Sequence, residues 1–344
     1  MTVERLSTNE IVFPGLGIEL KISPDAFTIG SFAIKWYGIC IAVGLLLAII
    51  YCFRRTKEFG LSSDRLNDAV FAGFLGAVVN ARLYYVIFHL DSYHTIKDII
   101  SIRDGGLAIY GGIIGALVIG FIACKIRKVN VLAAFDIASM GFLIGQGIGR
   151  WGNFFNQEAF GCNTSLPWGM SGGRIQQYLV NYKDYLYANN GMVVDPFQTV
   201  HPTFLYESIW CLLGFMLLHC IHKKRKFDGE IILIYVMWYG AGRAVIEGLR
   251  TDSLMLGSFR VSQLLAVVSA VAAAVIFVIA RVRVSKTGAR LYRDSEESHA
   301  ILEQEAMAEQ EEKAAKAARK EKTLSADQKI IDEDDEEEAE ESEE

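Results

Sequence analysis

Arg243, Glu247 and Arg250 stand at i, i+4 and i+7 within one apolar stretch, and Arg150, Asn153 and Glu158 arrive together in "GRWGNFFNQEAFG" (149–161) at the end of another. Helical spacing puts the first three on one face, so Glu247 is expected to reach both guanidinium groups and hold them. An ionisable side chain at the centre of a membrane span costs about 2.5–3.5 kcal/mol even on lenient scales, so a cluster of them marks a site. The charged chemistry is that of an anion trap. A guanidinium fork matches phosphate oxygens and stays charged at any working pH, whereas a lysine is a point charge with an adjustable pKa. The phosphate found at membrane depth is a phospholipid headgroup.

Other costly residues gather at the same level. Tyr37, Asn80, Arg82, Tyr110, His201, Tyr206 and Glu207 all fall in the same half of their apolar segments or at that end of them. Arg82 either joins the anion site or snorkels to the headgroups. His201 is a base or, in "HP", a turn with an interfacial imidazole. "GIGRWG" (147–152) satisfies GxGxxG only in letter, because it ends an apolar span instead of joining a strand to a helix. There is no HExxH motif, and no metal site is expected.

Seven apolar runs must position these groups: about 29–53, 69–89, 106–124, 131–149, 203–221, 231–249 and 262–281. Each approaches the ~20 residues that cross a ~30 Å hydrocarbon layer at ~1.5 Å per residue. A soluble domain of 344 residues rarely holds so many core helices. The expected class is an all-α polytopic membrane protein. Basic residues alternate between loops: Arg54, Arg55, Lys57 and Arg65; Lys125, Arg127 and Lys128; "KKRK" at 223–226; Arg281, Arg283 and Lys286. The positive-inside rule puts these loops in the cytoplasm, hence the N-terminus outside and the C-terminus inside.

The expected organisation is an outer N-terminal segment (1–28), a seven-helix catalytic domain (29–294) with an outer head segment (150–202), and a charged cytoplasmic tail (295–344). The tail holds 20 acidic and 6 basic residues, and the rest of the chain 20 acidic and 28 basic, so the formal charge of -6 averages two unlike regions. The tail reads as a solvated, dispensable helix closing in an acidic run too charged to fold. Five of six cysteines lie in spans and only Cys162 in an outer loop, so no disulfide framework is indicated. The first 28 residues lack the apolar core of a cleavable signal peptide, and span one is expected to insert the chain.

The signature stretch resembles that of the phosphatidylglycerol:prolipoprotein diacylglyceryl transferases. It is joined in order by "KWYG" (35–38), "NARLYYV" (80–86), "DGGLAIYGG" (104–112), "HPTFLYE" (201–207) and "WYGAGRAVIEGLR" (238–250). The resemblance implies transfer of the diacylglyceryl group of phosphatidylglycerol to the thiol of a lipobox cysteine in a prolipoprotein. A thioether forms and glycerol 1-phosphate leaves, as the first step of bacterial lipoprotein maturation. It also implies a multi-pass protein of the bacterial cytoplasmic membrane, its active site facing the outer leaflet, acting on prolipoprotein signal peptides without cofactor, metal or nucleic acid; a monomer is expected.

The family's invariant arginines fall on Arg150 and Arg243, its signature asparagine on Asn153, its span-one tyrosine on Tyr37 and its glutamate partner on Glu247. Phosphatidylglycerol is expected to be bound by Arg150, Tyr37, Arg82, Asn153, Arg243 and Arg250. Many members carry histidine where this chain has Tyr110, and a phenol with a pKa of ~10 is a poor base near neutrality. A thiol at ~8.5 already ionises in part at neutral pH, so no base is needed there. Tyr110 then helps place the thiol, and Glu158 or His201 remain proton acceptors. Two rivals from other classes are a transporter or flippase for anionic lipids, which needs polar residues leading to the inner leaflet, and a scaffold acting through its acidic tail.

Overall fold

The computed structural model describes residues 2–90, 93, 95–101, 106–256 and 259–341, with side chains to Ala318 except those of Phe32, Ile96, Ile109, Asn190 and Leu256. Asp104 and Gly105 of the "DGGLAIYGG" motif lie outside the described residues. The chain begins with β1 (Glu10–Phe13), β2 (Ile18–Lys21), β3 (Asp25–Ile29) and β4 (Phe32–Lys35). It then runs through α1 (Trp36–Phe53), α2 (Ser63–Ile87), the short α3 (Ile96–Ile100), α4 (Ile109–Ile126) and α5 (Val131–Asn156). After α5 come β5 (Ser171–Gly172), α6 (Gly173–Asn190), α7 (Thr203–Ile221), α8 (Glu230–Glu247), β6 (Met255–Leu256), β7 (Phe259–Arg260), α9 (Val261–Thr287) and α10 (Glu296–Glu341).

Five helices among the described residues are long and apolar enough to cross a membrane: α1, α2, α5, α7 and α9. Two of the seven expected spans differ for stated reasons. The apolar stretch of α4, Tyr110–Ile126, is shorter, and α8 carries Glu230, Arg243 and Glu247 within its 18 residues. The molecule is thus a mostly helical membrane protein. Leu46, Phe71, Leu117 and Val278 are all half-exposed or more, as lipid-facing side chains must be.

Helix α5 is the axis. It packs against α1, α7 and α8, and Ala133, Ile137, Met140 and Leu143 are buried along it. Small residues let backbones meet, which is how helices associate without a hydrophobic drive in lipid. A Cβ on Gly44 of α1 would lie 3.1 Å from the Gly145 carbonyl oxygen of α5, and one on Gly76 of α2 would lie 2.6 Å from Ile119 Cβ of α4. Between α7 and α8, Trp210 and Trp238 stack at 4.3 Å, and each indole N–H donates to the other's carbonyl oxygen (2.9 and 3.0 Å). The carboxylate of Asp136 accepts from the N–H groups of Gly229 (2.8 Å) and Ile232 (2.9 Å), capping the start of α8.

A second core forms the head. Strands β2, β1 and β5 make one antiparallel sheet, with Ile11 opposite Leu20 and Val12 opposite both Glu19 and Ser171. Ile11, Phe13, Met170, Ile175, Leu179 and Leu186 pack there with Phe154 of α5 and Phe204 of α7. The N-terminal segment and the 150–202 segment therefore share one core.

At the opposite end the start of the tail docks. Leu291, Ser298 and Ile301 are buried; the Tyr292 N–H donates to Asp228 Oδ2 (2.7 Å), Ser298 Oγ to the Gly60 carbonyl (2.8 Å), and the Ser63 N–H to Glu305 Oε1 (2.9 Å). Glu305 thus satisfies one of the orphan donors that open α2. Nearby, Glu58 pairs with His222 (2.9 Å) and Arg55 (2.8 Å). Burial alone would raise the Glu58 pKa, but the His222 hydrogen bond and the Arg55 and Lys223 charges outweigh it and hold the carboxyl below its ordinary value. The closing acidic stretch, expected to lack structure, continues α10 as backbone helix to Glu341. Ala, Glu and Lys favour helix, and pairs such as Glu312–Lys316 (2.5 Å) add i,i+4 support.

Candidate functional site

The first eight residues of the signature, 149–156, are the last two turns of α5, and the remaining five run on past its end. α5 runs to Asn156 and is stopped by Gln157 in the left-handed region (φ 56°), followed by Ala159 in the same region (φ 55°). Gln157 is buried. Its Nε2 donates to the Thr8 carbonyl and its Oε1 accepts from the Arg174 N–H, each at 2.9 Å, so its amide pins the N-terminal segment and α6 to the end of α5. This fixes where Arg150 and Asn153 point.

Three helix ends then meet on one carboxylate. Glu207, on the second turn of α7 and only 4 % exposed, pairs through Oε1 with Arg243 Nη1 (2.6 Å) and through Oε2 with Arg150 Nη2. Its Oε1 also stands 3.8 Å from Arg250 Nη1. Arg243 Nη2 pairs with Glu247 (2.6 Å), the i,i+4 contact expected of α8. Arg250 departs from the expectation. Its bidentate partner is Asp252 (2.9 and 2.7 Å), not Glu247, because α8 ends at Glu247 and the i+7 geometry is lost. A backbone bridge between Gly161 and Arg250 brings it back beside the signature.

Around this cluster the signature asparagine relays outward. Arg150 Nη1 meets Asn153 Oδ1 at 3.5 Å, Asn153 Nδ2 donates to Glu158 Oε1 (2.9 Å), and Asn156 Nδ2 approaches the same oxygen (3.3 Å). Glu158 is exposed and is the nearest free end of this chain of contacts. The ring of Tyr37 lies on Gly152, where a Cβ would come within 2.6 Å of it, and Trp36 stacks on Phe155 at 5.1 Å. Glycine at 152 therefore lets α1 close on the cluster.

The remaining sequence candidates have other side-chain partners. His201 faces Tyr206: Trp168 Nε1 donates to the phenol oxygen (2.7 Å), and His201 Nδ1 lies 3.1 Å from the same oxygen. Burial pushes the imidazole below its ordinary pKa. Arg82 is buried and donates Nε to Ile99 O (2.8 Å), Nη1 to Gly106 O (2.9 Å) and Nη2 to Asp98 O (2.7 Å), tying down the connection from α2 to α4. Tyr110 stands 69 % exposed on the first turn of α4, and no hydrogen bond among the described residues joins it to the cluster.

The sequence flagged Glu207 as a costly residue opening an apolar span but gave it no role. Its partners lie on two other helices, which no single-helix spacing reveals. Asp252 was missed for want of any signal beyond its place two residues after Arg250.

The arrangement can bind an anion. Three guanidinium groups share a small, mostly buried volume, 12–21 % exposed at their side chains, held by carboxylates instead of flexing freely. The family model described as prolipoprotein diacylglyceryl transferase matches residues 24–279. Among similar proteins, the phosphatidylglycerol–prolipoprotein diacylglyceryl transferase 1 of Clostridium perfringens is 41 % identical over 271 residues, 78 % of this chain and 98 % of that one. The enzyme of that name from Limosilactobacillus reuteri is 43 % identical over 268 residues (77 % and 94 %), and that of Thermotoga maritima 42 % identical over 260 (75 % and 83 %).

Proposed function

The chain belongs to the prolipoprotein diacylglyceryl transferase family, and from that premise we propose that its cluster of Arg150, Arg243 and Arg250 around Glu207 is the phosphate site of the reaction. The protein transfers diacylglyceryl from phosphatidylglycerol to prolipoprotein, the first step of lipoprotein maturation. In this reading the acceptor is the lipobox cysteine. Its sulfur forms a bond to the glycerol carbon that carries the phosphate, the carbon–oxygen bond breaks, and glycerol 1-phosphate leaves with the electron pair.

Charge on the phosphate grows as a diester becomes a monoester. Fixed guanidinium groups aimed at the leaving oxygen stabilise that growth, the preorganised electrostatics that dominates many such reactions. Glu207 and Glu247 keep the forks oriented before substrate arrives. Asn153 and Tyr37 hold the headgroup, Arg82 shapes the wall between α2 and α4, and Tyr110 lines the approach of the thiol. Glu158 takes the thiol proton, since its carboxylate is exposed and linked through Asn153 to Arg150. His201 is the weaker candidate, its Nδ1 being occupied by Tyr206.

The proposal also orders the molecule in the bilayer: seven spans, N-terminus and head outside, C-terminus in the cytoplasm of a bacterial cell, the cluster facing the outer leaflet, and a monomer as the working unit. The single observation that carries the reading is one buried carboxylate engaging arginines from three segments. The test is a mass assay with purified protein, phosphatidylglycerol vesicles and a lipobox peptide. A gain of one diacylglyceryl unit on the thiol, with glycerol phosphate released, is expected. An unmodified peptide, with phosphatidylglycerol still bound or moved between leaflets, would favour a lipid transporter instead.

A further inference from the structure

Helix α6 has two unlike faces. Ile175, Leu179 and Leu186 are buried in the head core, while Arg174, Gln177, Tyr178, Asn181 and Tyr182 recur at i, i+3, i+4, i+7 and i+8 on another side. Two cavities open along that stripe. The more enclosed, of about 220 Å³, is lined by Glu158, Phe160, Thr251 and Asp252 on the cluster side; the other, of about 430 Å³, by Gln177, Asn181 and Tyr182. Arg174 and Tyr178 line both, so the two form one cleft. It adjoins the arginine cluster through two carboxylates: Glu158 accepts from Asn153 (2.9 Å), and Asp252 holds Arg250 (2.9 and 2.7 Å). Arg174 is fixed but unengaged. Its N–H donates to Gln157 Oε1 (2.9 Å), and its half-buried guanidinium has no ion pair, hydrogen bond or ring contact among the described residues. Tyr178 stacks on Tyr182 at 4.7 Å and meets the edge of Phe160 at 5.5 Å. Burial and the nearby Asp252 charge push its phenol above its ordinary pKa, so the O–H stays a donor.

We propose that this cleft seats the segment of the prolipoprotein that follows the lipobox cysteine, with Arg174 donating to a backbone carbonyl and the amides of Gln177 and Asn181 engaging the next residues. The proposal rests on the reading that the thiol reacts beside Glu158. Three features select this occupant. The cleft begins at Glu158, so a chain whose cysteine reacts there enters it directly. Its lining offers acceptors on Glu158 and Asp252 and donors on Arg174 and Tyr178. A peptide backbone carries one donor and one acceptor on nearly every residue and satisfies both, whereas the two carboxylates repel a free phosphate. The cleft also lies in the head, where a chain leading away from an apolar signal peptide has to pass. Arg174 to Asn181 spans ~10.5 Å of helix at ~1.5 Å per residue, which an extended chain covers in about three residues. Arg174 is then a specificity-determining residue that binds the acceptor and takes no part in bond making.

The test uses the full chain in nanodiscs containing phosphatidylglycerol, with two lipobox peptides. One ends at the cysteine as its amide, and the other continues for three further residues. The unmodified chain is expected to show a KM for the longer peptide at least about 10-fold below that for the shorter. Arg174→Ala is expected to erase most of this advantage through KM, leaving kcat and transfer to the shorter peptide unchanged, and Arg174→Lys to restore part of it. A second readout needs neither turnover nor a variant: a benzophenone on the third residue after the cysteine should crosslink to 174–182 of α6. Equal KM for the two peptides, or crosslinks confined to the spans, would overturn the cleft as the acceptor's seat. A fall in kcat with both peptides alike in Arg174→Ala would assign the face to release of glycerol phosphate and overturn the proposal as well. No transfer to either peptide by the unmodified chain would instead overturn the reaction-site reading on which it rests.

Discussion

Replacing Glu207 by glutamine is the sharpest probe of the cluster. The substitution keeps the volume but removes the charge and turns one acceptor into an NH₂ donor. Glu207 Oε1 meets Arg243 and Oε2 meets Arg150, so the new donor must face one guanidinium group head on. Removing one partner of a buried ion pair costs about 3–5 kcal/mol. The arginine side chains here are 21 % and 17 % exposed, and solvent screening brings this to about 2–3 kcal/mol. If the lost energy is orientation of the phosphate ligands, initial transfer rates fall roughly 30- to 150-fold. The assay is thioether formation on a lipobox peptide, read by mass, beside a thermal midpoint for the same preparation. Glu247→Gln serves as comparison, because Arg243 there keeps Glu207, and its effect should be smaller. A Glu207→Gln enzyme within about threefold of the unmodified rate and with the same midpoint would refute the idea that this carboxylate organises the site.

Arg243→Lys keeps the charge but offers one nitrogen to two carboxylates, so it should lose a charge-assisted hydrogen bond of about 1.5–3 kcal/mol and most of its turnover; near-normal initial rates would count against the phosphate role. Glu58, with its folded pKa below the ordinary 4.5, contributes stability that is fully present above that value and is lost as pH falls through the folded one. Acid titration of unfolding should show that slope below about pH 4.5 in the unmodified chain, and Glu58→Gln should show a shallower one. Ending the chain after Met307 should leave the thermal midpoint unchanged, whereas ending it after Thr287 removes the buried Leu291 and Ile301, at most on the order of 3–6 kcal/mol, and should lower it clearly. Equal midpoints for the two truncations would show that the docked segment contributes nothing.

Much of this was legible in the sequence because lipid enforces it. A backbone in hydrocarbon must be helical, so apolar runs located the helices, though their ends missed by up to seven residues. Span one was expected from 29, where β3 and β4 run on to Lys35 and α1 opens only at Trp36; span four was expected to close at 149, where α5 continues to Asn156. The i,i+4 pair of Arg243 and Glu247 was readable for the same reason: it lies within one helix. What failed was whatever depended on a second element. The partner expected for Arg250 assumed that α8 continued past Glu247. The part played by Glu207 needed three helices already assembled. Arg82 looked like a free cation at membrane depth, yet backbone carbonyls of the following connection surround it, and carbonyls have no residue code. The strands β1 and β5, four and two residues long, carry too little alternation to be seen.

The pairing of Val12 with Ser171 has a consequence in time. The two residues are nearly 160 positions apart, and a ribosome adds ~5–20 residues per second. The amino-terminal hairpin therefore waits on the order of ten seconds before its second neighbour exists, with one strand edge open throughout. Four of the helices that surround the signature's helix or precede it are made in that interval, while Gln157, which locks hairpin and helix together, arrives only near its end. The first residues synthesised find their second neighbour only after α5 is made, so a lesion in them strands a chain whose first spans are already built.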